Sequence, residues 1–174
     1  NLELEDFNLK IKCENYETTI KGVNPEDFPI IPQVSDEEKI EVQIKSFCKS
    51  LGSVVDIASI SSTKPEISGV YFLFQKNLII MAATDSFRLG EKKIYLDSPL
   101  NNISKDYSLI LPQKAAKEII NIFGEKEGVL TIYFSPNQIL FETSLSEVSH
   151  PQIQLTSRLI EGDYPNYQEI IPKK

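Results

Sequence analysis

The chain is poor in the side chains that most chemistry needs. It has one histidine and two cysteines, and nowhere an apolar run of the length, about 18 residues, that a membrane-spanning helix requires. With Cys13 and Cys48 far apart, no CxxC and no histidine pair, the donors of a zinc site are missing. The same two cysteines give no disulfide framework and point to a reducing cytoplasm. The opening residues Asn1-Leu2-Glu3-Leu4-Glu5-Asp6 lack the basic start and apolar middle of a signal peptide. There is no P-loop, no GxGxxG and no EF-hand loop, so no cofactor is expected. His150 lies between Ser149 and Pro151, but residues adjacent in sequence do not readily form a nucleophile–base pair, and no glycine elbow surrounds any serine. It reads as a loop histidine. The acidic groups Asp36-Glu37-Glu38 and Glu125 with Glu127 sit in polar stretches without the burial that raises a carboxyl pKa, and read as solvated surface. No catalytic residue is expected.

Basic residues are also in the minority, 18 against 25 acidic, for a net charge of −7. Such a balance favours solubility and argues against a uniformly basic nucleic-acid surface, while leaving room for a local basic stripe.

What is present is ordinary globular material: 174 residues, 41% hydrophobic and 25% charged, enough for one domain with an appendage or two small ones. A chain of this size buries roughly 70% of its unfolded surface. Leu2, Leu4, Leu9, Ile11, Cys13, Tyr16, Thr18 and Ile20 follow a period of two, with a turn at Glu14-Asn15. Residues 24–32 are dense in proline and acid and read as an extended linker, placing a boundary near 24–36. Ile44, Phe47, Cys48, Leu51 and Val55 then fall at helical spacing, predicting a helix over 43–58. Strand-like runs follow at 70–74, 78–83 and 88–96. A second helix opens at Leu111-Pro112-Gln113, has Ala116, Ile119, Ile120 and Phe123 as its apolar face, and is closed by Gly124. Three more strand-like runs lie at 129–134, 139–143 and 153–159. Gly69-Val70 leading to Asn77 is echoed by Gly128-Val129 leading to Asn137. The expected fold is therefore α+β: a duplicated β-α-β-β-β unit with two helices packed on one face of antiparallel sheets.

Two features could carry recognition. Asp85 and Arg88 follow an apolar strand within one turn. Either Asp85 simply fixes the turn, or Phe87, Leu89 and the Arg88 stem form one wall of a pocket. Lys45 and Lys49 lie opposite the apolar face of the first helix, and Lys114 and Lys117 hold the same relation on the second, beside Glu118 and Asn121. Diluted by Asp56 and Glu118, the lysines read as a solvated helix face, capable of only a shallow, non-specific phosphate contact.

Thr84-Asp85-Ser86-Phe87-Arg88-Leu89, the run from Arg158 through Glu161-Gly162-Asp163-Tyr164-Pro165-Asn166-Tyr167, the closing Ile171-Pro172 and the stretch Pro25-Glu26-Asp27-Phe28-Pro29 together resemble the bacterial DNA sliding clamp, the beta subunit of DNA polymerase III. The resemblance implies subunits of three similar domains, each a duplicated β-α-β-β-β unit, joined head to tail as a homodimeric ring around duplex DNA with helices lining the hole. It implies that residues 1–24 are the closing strands of the first domain, 25–36 the linker and 37–174 the second domain, and that the third is missing, so that the fragment is monomeric. The implied function is that of a non-catalytic processivity factor of DNA replication in the nucleoid-associated cytoplasm, with no membrane role. Its partners would be duplex DNA, held topologically and without sequence preference, and the polymerase catalytic subunit, clamp loader and repair proteins, which dock through short, extended, largely apolar peptides.

By the same resemblance the peptide-binding residues are Lys64, Ile67, Thr84, Ser86, Phe87, Arg88, Leu89, Pro165, Glu169 and Ile170. The DNA-proximal residues are Lys45, Lys49, Lys114 and Lys117. Phe87 stands where relatives often have histidine, and Lys64 and Glu169 where some have arginine. The alternatives are a generic α+β interaction module without a DNA role, and a hydrolase built on Asp85 and His150.

Overall fold

The computed structural model describes residues 1–27, 39–61, 63–96, 99–100, 106–144 and 151–171. The chain divides into two compact units, Asn1–Gln33 and Val34–Lys174. In the first, the alternating residues form an antiparallel sheet of β1 (Leu2–Glu5), β2 (Asn8–Cys13) and β3 (Tyr16–Lys21), with Leu4 opposite Leu9 and Ile11 opposite Thr18. Positive φ angles at Asp6 (47°) and Phe7 (63°) close the first hairpin. Gly22 then passes so close to Phe7 that a Cβ would meet its carbonyl oxygen at 2.3 Å. Pro25–Asp27 forms one 3-10 turn, started by the Asn24 side chain accepting the Glu26 N–H at 3.0 Å. The rest of the expected linker, 28–36, lies outside the described residues, as do His150 and the acidic run 36–38.

In the second unit the strand–helix–three-strand order occurs twice. The first copy is β4 (Lys39–Gln43), α1 (Ile44–Gly52), β5 (Gly69–Gln75), β6 (Leu78–Thr84) and β7 (Leu89–Tyr95). The second is β8 (Tyr107–Pro112), α2 (Gln113–Phe123), β9 (Val129–Ser135), β10 (Gln138–Ser144) and β11 (Pro151–Arg158). The leading strand of each copy pairs with the other copy. β4 joins β9, with Val42 opposite Leu130, and β8 joins β5, with Leu111 opposite Val70. Two four-stranded antiparallel sheets result, ordered β11-β10-β9-β4 and β7-β6-β5-β8. The expected α+β duplication is thus observed. Neither β4 nor β8 is among the strand-like runs expected from the sequence, although Ile40 and Val42 of β4 alternate with exposed Glu41 and Gln43.

The first helix is shorter than expected. It stops at Gly52 because Ser53 donates through its Oγ to the Ser50 carbonyl at 2.6 Å and its N–H caps the last turn. Val55 is buried, but on a separate 3-10 turn, Val55–Ile57. Helical spacing carried the prediction past the break because Val55 occupies the core either way. The second helix spans 113–123; Leu111 and Pro112, expected to open it, end β8 instead, with Pro112 as the N-cap. Gly124 caps it with a right-handed φ of −56°, not in the left-handed conformation that usually selects glycine there.

The core is a chain of aromatic rings that ties both sheets to α1. Phe47 stacks on Phe72 of β5 at 5.9 Å between centroids and meets Phe141 of β10 at 6.2 Å. Phe74 meets Phe134 edge-on at 5.0 Å, and Tyr107 packs on Phe134 at 4.8 Å. The helix α2 adds Ala116, Ile119 and Phe123, all fully buried. Phe47 touches both sheets, so its truncation to alanine leaves a cavity that neither can fill alone. Phe47→Ala is expected to destabilise the second unit by about 3–5 kcal/mol, read as a fall in the urea midpoint at unchanged m-value.

Candidate functional site

The turn after β6 is built by one carboxylate. Asp85 Oδ1 accepts the N–H of Phe87 at 2.9 Å and of Arg88 at 2.7 Å, while Oδ2 accepts Arg88 Nε at 2.9 Å and pairs with Nη2 at 2.8 Å. Thr84 Oγ1 donates to the Arg88 carbonyl at 2.7 Å and accepts the Ser86 N–H at 3.2 Å. These bonds hold Ser86 at a φ of 76°, a left-handed conformation uncommon for a non-glycine residue. Donation from the Arg88 and Phe87 backbone, then from the Arg88 side chain, pulls the Asp85 carboxyl down to about 2. The first of the two open readings of this turn therefore holds: Asp85 fixes it, and in the fixed turn Phe87 stands almost wholly in solvent, 96% exposed, beside half-buried Leu89.

A second segment is pinned beside the sheet by tyrosines. Leu159 N–H donates to the Asn137 carbonyl and Ile160 N–H to the Ile110 carbonyl, each at 2.9 Å, carrying the chain from β11 to the edge of β8. Gly162 turns at a φ of 121°. Tyr164 stacks on Tyr71 of β5 at 5.0 Å, and Tyr167 meets both rings edge-on at 6.2 Å. The Tyr167 hydroxyl donates to Glu91 Oε2 at 2.9 Å, and Glu91 Oε1 pairs with Lys93 at 2.9 Å. Burial, reinforced by Glu91, keeps the Tyr167 phenol protonated, and burial pushes the Tyr164 phenol up to about 12. With its two tyrosines turned inward, the segment leaves Pro165, Glu169 and Ile170 exposed, Ile170 at 70%. Asn166 Nδ2 donates to Glu169 at 2.6 Å.

The third segment, the 3-10 turn Pro65–Ile67, leads into β5, and its end is held by the Ser59 N–H donating to the Ile67 carbonyl at 2.9 Å. Because Tyr71 pairs with Ala82, the start of β5 lies level with Thr84 at the end of β6. Most of the expected peptide-contacting residues thus stand on segments that the topology and the tyrosine contacts bring to one end of the sheet β7-β6-β5-β8. They divide into two kinds. Ile67 and Thr84 are buried, 4% and 8% exposed, and present little surface. Phe87, Leu89, Pro165 and Ile170 present apolar surface, with Lys64, Ser86 and Glu169 exposed around them. The Arg88 guanidinium is already engaged by Asp85. None of Tyr71, Tyr164, Tyr167 and Glu91 is among the site residues expected from the sequence, although two tyrosines flanking Pro165-Asn166 are the kind of signal that a docked segment gives.

The lysines lie elsewhere, on the exposed faces of α1 and α2. Lys45 pairs with Glu127, and Lys117 with Asp56 at 2.9 Å. Among the described residues, Lys49 and Lys114 make no ion pair. The acids that pair with them are Asp56, expected from the sequence, and Glu127, which was not; Glu118 is exposed on α2. A hydrolytic role for Asp85 finds no support in its geometry, since both of its oxygens are engaged in the turn.

A duplicated β-α-β-β-β domain with exchanged leading strands is the fold of a DNA sliding-clamp domain, and solved clamps superpose on it throughout. The beta chain of DNA polymerase III from Streptococcus pneumoniae matches with a TM-score of 0.82 at 29% identity, over 99% of this chain and 43% of that one. The sliding clamp of Bacillus subtilis matches at 0.81 and 25% identity, over 99% and 43%. The Helicobacter pylori beta clamp, solved bound to a DNA ligase peptide, shares the fold at 0.81 and 23% identity, over 99% and 46%. Residues 41–166 match the family described as "DNA polymerase III beta subunit, central domain". The "Beta sliding clamp" of Staphylococcus aureus is 31% identical over 169 residues, which is 97% of this chain. The chain belongs to the bacterial beta sliding clamp family. It spans 42% of the length of that Staphylococcus relative.

Asp85 gives a direct check on the turn. Its folded pKa lies below the ordinary 3.8, so its contribution is complete above that value and is lost as the pH falls through about 2. The Phe87 and Arg88 amide resonances are expected to titrate with a midpoint near 2, not near 4, and Asp85→Asn is expected to abolish that titration.

Proposed function

We propose that the chain is the middle part of a non-enzymatic DNA polymerase processivity factor, a ring component that encircles duplex DNA and tethers the replicative polymerase and other partners by docking their peptides. The observation that carries the reading is the apolar ledge of Phe87, Leu89, Pro165 and Ile170, raised on a hydrogen-bonded turn and a tyrosine-pinned segment at one end of a rigid sheet. Exposed apolar side chains held in a fixed arrangement suit an extended, largely apolar peptide. Lys64, Ser86 and Glu169 around them can set its register. That the fold of a relative carrying a DNA ligase peptide is shared supports the same use here.

In this reading residues 1–24 close the preceding domain, 25–36 link, and 37–174 form the second domain. The helical faces of α1 and α2 lie toward DNA. A tether that slides needs phosphate contacts that are weak and indifferent to sequence, because closure of the ring supplies retention. Four lysines on an otherwise acidic chain satisfy that requirement. The reading places the protein in the bacterial cytoplasm.

The DNA ligase peptide seen on the Helicobacter pylori clamp is a suitable probe. Carried by a fluorophore and titrated with the chain, it is expected to bind weakly, and Phe87→Ala with Leu89→Ala to remove detectable binding, a loss of about 2 kcal/mol or roughly 30-fold. Undiminished binding by the double variant would count against the site.

A further inference from the structure

The ion pairs on the helical face answer a question that the clamp reading leaves open, namely how strongly that face holds DNA. We infer that Asp56 and Glu127 are built-in competitors of DNA phosphate, occupying Lys117 and Lys45, whereas Lys49 and Lys114 make no ion pair among the described residues. The inference rests on the proposal that α1 and α2 face DNA.

Both pairs cross between the two repeats. Lys45 begins α1 in the first copy and its partner Glu127 precedes β9 in the second, while Lys117 lies on α2 and Asp56 on the 3-10 turn after α1. The second pair bridges a shallow groove of ≈ 400 Å³ lined by Gly52, Val55, Ile120 and Asn121. All four side chains are exposed, Lys117 least so at 48%. Exposed pairs of this kind contribute little to stability, about 0–1 kcal/mol, so holding the fold together does not account for them. What they do alter is the field seen by an approaching polyanion. A carboxylate and a phosphate compete for the same ammonium group, and a lysine already paired neutralises less phosphate charge, so fewer of the DNA's condensed counterions are released. Four lysines thereby act as about two, which keeps contact with DNA shallow. The partners are contributed by other segments than the helices themselves, so their effect can be removed without altering either helix.

The test is duplex DNA binding by the whole 174-residue chain, measured by fluorescence anisotropy across a range of low salt concentrations and located by amide shifts. Asp56→Asn with Glu127→Gln is expected to bind about tenfold more tightly, with the slope of log K against log salt steeper by about 1.8, that is two further phosphate contacts. Lys49→Ala with Lys114→Ala is expected to weaken binding by the parent chain. Unchanged affinity and slope in the Asp56/Glu127 variant would overturn the inference, and so would an absence of binding by both that variant and the parent. If in the first case the parent's shifts lie on α1 and α2 and are lost with Lys49 and Lys114, the DNA-facing role of the helices survives and only the competition falls. Shifts away from the helices, insensitive to Lys49 and Lys114, would sink both.

Discussion

The leading strand of each repeat hydrogen-bonds to the other repeat, and this exchange organises the second unit. Without β4, the sheet built by β9, β10 and β11 would expose the backbone of β9; without β8, β5 would be an edge. An unpaired edge next to a buried face is costly, because its polar groups lose water without gaining partners. Each repeat therefore supplies what the other lacks. The exchange also places rings from both sheets around Phe47, so α1 packs against two sheets at once. A core made this way belongs to the pair of repeats, and neither is expected to hold its packing alone.

The rigidity of that core is what lets exposed side chains be presented at fixed positions. Thr84 is buried at the end of β6 and yet bonds the turn that lifts Phe87 into solvent. Tyr167 is buried against β5 and β7 and yet carries exposed Glu169 and Ile170 on the same short turn. In each case one residue anchors while its neighbours are displayed. The helical face works differently, with long solvated side chains whose charges are partly cancelled by acids from the opposite repeat.

Much of the fold was legible because it rests on short-range periodicity. The hairpins around Glu14-Asn15, the runs leading to Asn77 and Asn137, and the apolar face of α2 are all patterns within a few residues. The end of α1 was not, since Val55 is buried whether or not the helix continues, and only the Ser53–Ser50 bond shows that it stops. The two leading strands were missed for a related reason. Each runs straight into a helix without a turn signal, and its pairing partner lies across the repeat boundary. At the site, the role of Asp85 could be read from its turn, whereas the Tyr71–Tyr164–Tyr167 cluster joins residues more than ninety positions apart and leaves no local trace. The Lys45–Glu127 pair, 82 residues apart, is equally invisible to spacing.

The central claim is that the apolar ledge at the end of β6 is where an extended partner peptide docks. Its most direct test is location: a co-crystal structure of this chain with the ligase peptide. The peptide is expected to lie across Phe87, Leu89, Pro165 and Ile170, with Tyr164 and Tyr167 unmoved. Density for the peptide on another surface, with this ledge bare, would contradict it.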